Sequence, residues 1–504
     1  MKKIQRSTAI LLAAFMCLSF AACKKKPSQA ESSDILNSDS AVNTNNDNIT
    51  NDNNSSDASS GGTAGNTSGS GSGGGSGSKA KVDFGGKTLT LIYEYQPSNE
   101  KGIDPSRDRE LDRIAQLNKK YNVNIVMKKG AANYNEAIVS SISAGTPIGN
   151  IIKINGNKNY DFIKSGLCAP LDDAMKTTGI NMTASHYDQR TNKYYNINGK
   201  QYVAALIVPQ DNEVMDLWFY NKDILAELGY KSDYIYELYK SGNWDWNNAT
   251  KLFAAAKKVS ANGTVTRYGL GCVYAYRTLT SMVLSNGGKI GGVDKTGAPT
   301  VNLGEAKVRE ALQQMYDWGG VNKYISPTEA DETYSKFSKG EIFMCSAQAG
   351  RAKSFYTSGI NFGVMYPPKG ANGKNIAQVR VGSSFIIPVT YKSEAYKYLT
   401  VLDELYSPYP DASREDILKN DAINYFSDMN SWTVFRDSAI KSDVQANDDF
   451  TVFNLEWSNP AFGTVCLNLS KGAITPGSVV EKYNDQYQAL LDDLFKGYSL
   501  TKAK

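Results

Sequence analysis

The sequence predicts an α/β protein of two lobes, each a mainly parallel sheet flanked by helices. Three observations carry that expectation. Strand-like and helix-like stretches alternate with short connections from Lys87 onward, the alternation starts afresh near Val214, and residues 79–504 are long enough for two domains. In the first region "KTLTLIYEY" (87–95) sets Leu89, Leu91 and Tyr93 against Thr88 and Thr90, the period of a strand. "SRDRELDRIAQLNKKY" (106–121) spaces Leu111, Ile114, Ala115 and Leu117 as a helix does, with Ser106 as its expected cap. "VNIVM" (123–127) reads as a strand, "NYNEAIVSSISAG" (133–145) as a helix stopped by Gly145, and "NIIKIN" (150–155) as the next strand. Such βαβ units bind ligands beyond the carboxyl ends of their strands. That rule selects the loops Tyr95–Asn99 and Asn155–Asn157.

The second region begins with "VMDLWFYNKDILAELGY", a strand running into a helix. "NWDWNNATKLFAAAKKV" (243–259) reads as a helix entered through aromatics. "RYGLGCVYAY" (267–276) reads as a strand ending in Tyr274 and Tyr276. "LGEAKVREALQQMYDWG" (303–319) is an amphipathic helix and "GEIFMCSAQ" (340–348) a buried strand.

Ahead of these lies an export leader. Lys2, Lys3 and Arg6 precede an apolar run from Ala9 to Phe20, then Ala21, Ala22 and Cys23. The run is too short to span a bilayer comfortably. Cleavage after Ala22 would leave Cys23 as a lipid acceptor, as in the lipobox of bacterial lipoproteins, with Phe20 where leucine is usual. Lys24, Lys25 and Lys26 add an electrostatic second signal for anionic lipid. Residues 27–78 are mostly Ser, Gly and Asn, with six carboxylates and no aromatic residue, so they cannot bury enough to fold. As a coil they span about 40 Å root-mean-square. The expected organisation is a leader (1–22), a lipidated cysteine with its linker (23–80), a first lobe (81–213 and 364–408) and a second (214–363 and 409–504).

Composition excludes several functions. The charges of the leader and linker cancel, so residues 79–504 carry the chain's whole formal +4, too little for a nucleic-acid footprint. Cys168, Cys272, Cys345 and Cys466 have no metal-ligand spacing and apolar neighbours, and read as buried free thiols. His186 is the single histidine and lies in a polar stretch, which reads as surface; a Ser-His-Asp or Cys-His centre would need it. The carboxylate pairs Asp172–Asp173 and Asp492–Asp493 have diverging side chains unsuited to acid–base work. Every Tyr and Trp lies after residue 78, and rigid aromatic surfaces suit binding sites as well as cores.

Several blocks in order carry a resemblance. "YNEAIVSSISAGTP", "LCAPLDDAM" and "NGKQYVAALIVP" precede "YNKDILAELGY…NWDWNNATKLFAAAKKV". "SNGGKI", "FSKGEIFMCSAQAGR", "FGVMYPPKG" and "VGSSFIIPVTYKSEAYKYLTVLDEL" follow. Over residues 87–405 the chain resembles the family 1 extracellular solute-binding proteins, the maltose-binding-protein-like receptors of ATP-binding-cassette sugar importers. It departs at "TPIGNII", where Pro-Asp is usual, and in the extra "MTASHYDQRTNKYYN". The resemblance implies a two-lobed periplasmic-binding-protein-like fold that crosses between lobes near residues 213, 364 and 408. It also implies a ligand in the cleft, a permease as partner, no cofactor, no catalysis and a lipid-anchored monomer on the outer face of a Gram-positive cell.

A sugar site needs flat aromatics beside groups that hydrogen-bond hydroxyls. Tyr95 and Asn155 end strands at the crevice, and Glu213 precedes the first crossing. Tyr274 and Tyr276 end a strand of the second lobe, and Arg351 follows "MCSAQAG" where relatives often have an aromatic. Trp457, in "NLEWSNPAF", precedes the last amphipathic pattern, where relatives supply a stacking tryptophan. Trp218, Trp244 and Trp246 read as structural. The rivals are another solute (peptide, polyamine or acidic sugar) in the same fold, and a surface glycoside hydrolase, which would need two carboxylates about 5–10 Å apart.

Overall fold

The first sheet takes its strands from both ends of the folded region: β1 (Thr88–Tyr93), β2 (Asn124–Lys129), β3 (Ile151–Ile154), β4 (Ala204–Leu206) and, far along the chain, Ser383–Ile386. The computed structural model describes residues 82–102, 105–154, 158–208, 215–379, 383–453 and 455–500. Leu89, Leu91 and Tyr93 of β1 face one side and Ile92 the other, and all are buried, as a parallel strand covered on both faces requires. Each such leucine contributes about 1.5–3 kcal/mol by leaving water. β1 lies between β2 (Leu89 opposite Ile125) and β3 (Leu91 opposite Ile151), all parallel. Helices α1 (Pro105–Tyr121) and α2 (Tyr134–Ser143) make the crossovers. Gly145, at φ +77°, follows α2 in the left-handed conformation that ends helices. Ser106 lies inside α1 and is buried, its hydroxyl donating to Asp421, so it is not the helix cap; the proline at the helix start is pre-set for that position.

The second sheet is built on β5 (Met215–Asn221), every residue of which is buried. It also contains β6 (Val265–Cys272), β7 (Ile342–Gln348), β8 (Phe362–Met365) and β9 (Ala377–Val379). β7 runs parallel to β6 and antiparallel to β5, while β8 and β9 are both antiparallel to β5. The expected crossing near residue 364 is therefore corrected. Phe362–Met365 are fully buried partners of β5, and Pro367–Pro368 end a strand rather than a lobe. The change of sheet comes later, between Val379 and the first-sheet strand β10 (Ser383–Ile386).

The strand ends that flank the two passages between sheets are paired with each other. Leu206 pairs with Ser383 on the first-sheet side, and Met215 pairs with Val379 on the second. Residues 207–214 and 380–382 thus join the same two sheets at adjacent points. The long helix after β10, Ala395–Tyr406, packs on α1 and on the helix Asp172–Thr178, and the chain then turns back toward the second sheet.

"RYGLGCVYAY" is strand only to Cys272. Tyr274 caps α3 (Ala275–Ser285) and Tyr276 lies in its first turn, so neither ends a strand. Trp218 and Trp244 are wholly buried, and Trp246 opens the helix Trp246–Ala256, half-buried against the same core. Cys168, Cys272, Cys345 and Cys466 are free and buried. His186 is not on the surface: its side chain is 9% exposed and its Nε2 lies 2.8 Å from Asp403, which also accepts from the Tyr187 hydroxyl. Among the described residues no helix is long and apolar enough to cross a membrane.

Candidate functional site

Strand direction gathers functional groups at one place. β1 and β3 end at Tyr93 and Ile154, β6 and β7 end at Cys272 and Gln348, and Asp216 at the start of β5 lies opposite Gln348. The carboxyl ends of both sheets therefore converge on the double crossing, the position the crevice rule selects.

On the second-lobe side the groups form a row of rings laced with charge. Tyr274 and Tyr276 have ring centroids 6.1 Å apart, and Trp457 meets Tyr276 edge-on at 5.9 Å. The Arg277 guanidinium lies 4.5 Å from the Tyr274 ring centroid, and its Nε donates to the Tyr276 hydroxyl at 3.1 Å. Its Nη1 is 3.9 Å from Asp216 Oδ1. Burial pulls the Arg277 pKa down, but Asp216 and the two phenols outweigh it and hold the group charged. Arg351 opens the helix Arg351–Thr357 and stacks over Tyr334 at 4.2 Å, while the Tyr334 hydroxyl donates to Gln348 at 2.7 Å. Burial raises the Tyr334 pKa, and Gln348 lies across the β7–β5 ladder from Asp216, which links Arg351 to the same row. Beneath the helix start, Glu329 accepts from the Ala275 amide at 2.8 Å, and burial holds its carboxyl above the usual range.

The first-lobe side contributes the buried Tyr195. Burial raises its pKa, which the polar side chains of Asn159 and Ser384 partly offset. A T-shaped contact of Tyr160 on Phe495 at 5.0 Å, with Tyr194 on Phe453 at 5.6 Å, packs this side against the C-terminal segment.

Tyr274, Tyr276 and Trp457 are thus brought together, with Arg351 joined through Tyr334. Trp457 is 54% exposed and available as a stacking surface. Tyr95 lies just beyond β1 and is 76% exposed. Asn155, Glu213 and the lipidation residue Cys23 lie outside the described residues. Sequence reading missed Arg277, Asp216, Tyr334 and Gln378. The one available signal was Asp216, a carboxylate inside the apolar run "VMDLWFY".

A hollow of about 440 Å³ lies on the opposite face of the crossing strands, lined by Tyr187, Asp188, Arg190, Met215, Val379 and Gln445 among others. Alternation along a strand sends Met215 and Val379 to that side and Asp216 and Gln378 to the other. None of the row of rings lines it.

Two α/β lobes joined by paired crossings, with a row of rings and charges on the second lobe, fit a protein of the solute-binding class. Residues 112–402, more than half of the chain, match the family of bacterial extracellular solute-binding proteins, and the protein belongs to that family. No curated protein sequence matches the chain. Among solved structures the fold is similar to the ABC substrate-binding protein Lmo0181 of Listeria monocytogenes, in complex with cycloalternan. That likeness has 13% identity and TM-score 0.57, over 80% of this chain and 99% of that one. It is also similar to the maltose/maltodextrin-binding domain MalE of Bdellovibrio bacteriovorus bound to maltotriose (14%, TM-score 0.54, 81% and 100%). A third is UgpB of Mycobacterium tuberculosis in complex with glycerophosphocholine (16%, TM-score 0.57, 80% and 98%).

Proposed function

We propose that this protein captures a carbohydrate between its lobes outside the cell and presents it to the permease of an ATP-binding-cassette importer, without catalysing a reaction. The observation that carries this reading is the half-exposed Trp457 set edge-on against Tyr276, beside Tyr274 and Arg277. Rings of this kind cover the C–H faces of a sugar, and guanidinium, carboxylate and phenol groups take its hydroxyls. The sugar-bound relatives support the same reading. Closure is hinge motion about residues 207–214 and 380–382, with a third passage near residue 408. Lipid on Cys23 holds the protein at the outer face of the cell membrane as a monomer.

A thermal-shift screen of the full chain over neutral oligosaccharides tests this, because a ligand that binds only the folded state raises the midpoint. The bound sugar should be recovered intact after long incubation. Shortened products would point to a hydrolase, and a midpoint raised only by peptides or polyamines would point to a different solute.

A further inference from the structure

Two buried polar atoms beside the row of rings have no hydrogen-bond partner among the described residues, and they are of opposite kind. Arg277 Nη1 is a donor and Gln378 Oε1 an acceptor. Gln378, 2% exposed, sits directly across the β5–β9 ladder from Asp216, and Asp216 Oδ1 is the carboxylate oxygen 3.9 Å from Arg277 Nη1. Cross-strand neighbours on one sheet face have Cβ atoms about 5 Å apart, so donor and acceptor belong to one polar spot. Leaving such atoms unpaired in the interior costs stability, and a folded chain normally avoids it.

We infer that Arg277 and Gln378, with Asp216 holding the guanidinium, form a subsite that reads one hydroxyl group of the ligand and thereby selects an uncharged polyol over an acidic one. This rests on the carbohydrate reading of the cleft and narrows it. A hydroxyl is the group that accepts from Nη1 and donates to Oε1 at once. A carboxylate or phosphate oxygen accepts from Nη1 but brings negative charge against Asp216 and a second acceptor against Gln378. An ammonium group satisfies Gln378 and is repelled by Arg277. Arg277 is already tied by Tyr276, by its place on the Tyr274 ring and by Asp216, so its Nη1 is positioned before ligand arrives. No site expectation drawn from the sequence included Arg277 or Gln378.

The test is titration calorimetry on the full chain with neutral trisaccharides (maltotriose, mannotriose, cellotriose, xylotriose) and with trigalacturonate. Each titration is paired with the melting temperature of the unliganded protein. The variants are Arg277→Met and Gln378→Met. The subsite predicts that the tightest neutral trisaccharide binds at least tenfold more tightly than trigalacturonate. It further predicts that Gln378→Met weakens that neutral ligand about tenfold while leaving the unliganded melting temperature unchanged or higher, since it removes an unpaired acceptor. Two results overturn it: affinity within twofold of the parent in Gln378→Met with a lowered melting temperature, or preference of the parent for trigalacturonate. A parent that takes none of these glycans but binds a peptide or polyamine sinks the carbohydrate reading itself, and the subsite with it.

Discussion

Replacing Trp457 by alanine separates ligand contact from folding more cleanly than any other change in the cleft. The ring is 54% exposed and touches Tyr276 edge-on at 5.9 Å, so its folding contribution is one aromatic contact and not a filled core position. That contact is worth about 0.5–1.5 kcal/mol, against the 3–5 kcal/mol expected for emptying a core tryptophan site. A tryptophan covers some 150–250 Å², so roughly 100 Å² is left for a ligand to bury. At about 25 cal/mol per Å² that area is worth at most about 2.5 kcal/mol, or some tenfold to fiftyfold in Kd once ordering costs are taken off. Titration calorimetry with a bound oligosaccharide measures the loss of affinity, and a melting curve of the unliganded variant measures the loss of stability. The expected result is a Kd raised tenfold or more with a midpoint lowered by no more than a few degrees. Unchanged affinity in the folded fraction, with a collapse of the midpoint, would return Trp457 to the core and refute the reasoning.

Other outcomes follow from the same structure. Asp448 accepts from the amides of Ile290, Gly291 and Phe450, yet burial pushes its carboxyl up to about 6 from an unfolded value of about 3.9. Because the folded state holds the proton more tightly, its contribution is fully present below about pH 4 and is lost as pH rises through about 6. The loss is about 2–3 kcal/mol, and Asp448→Asn should flatten that part of a urea-denaturation pH profile. An unaltered slope in the variant would assign it to other groups. Small-angle scattering should show a smaller radius of gyration with saturating ligand, and an unchanged value would count against hinge closure about residues 207–214 and 380–382. Cys23→Ser should move the protein from the membrane fraction to the soluble fraction, and unchanged fractionation would dismiss the lipid anchor.

What was legible in the sequence was what local pattern controls. The period-2 run of Leu89, Leu91 and Tyr93 and the helical spacing of Ile114 and Leu117 appear where expected, because each element buries its own stripe against the next. The sequence reads Tyr274 and Tyr276 as a strand end, but they lie at a helix start, since the residues after Cys272 do not reveal where extended backbone stops. The crossing expected near residue 364 falls inside β8 because strand order is long-range: β8 joins β5 across more than a hundred residues, and no local signal encodes that pairing. His186 was misplaced for the same reason. Its partner Asp403 is distant in sequence, so the polar stretch around the histidine said nothing of burial. Arg277, Asp216 and Gln378 come from three separate elements, and only the antiparallel pairing of β5 with β9 under α3 makes one spot of them.

The central claim is that the cleft holds an uncleaved carbohydrate, and equilibrium binding of oligosaccharides to the full chain in a sugar-free detergent tests it most directly. Calorimetric titration over a panel of neutral di- to tetrasaccharides, with chromatography of the recovered ligand, should give saturable one-to-one binding of at least one member and return it intact. Binding confined to non-carbohydrate solutes, or recovery of the sugar in shortened form, would contradict the account.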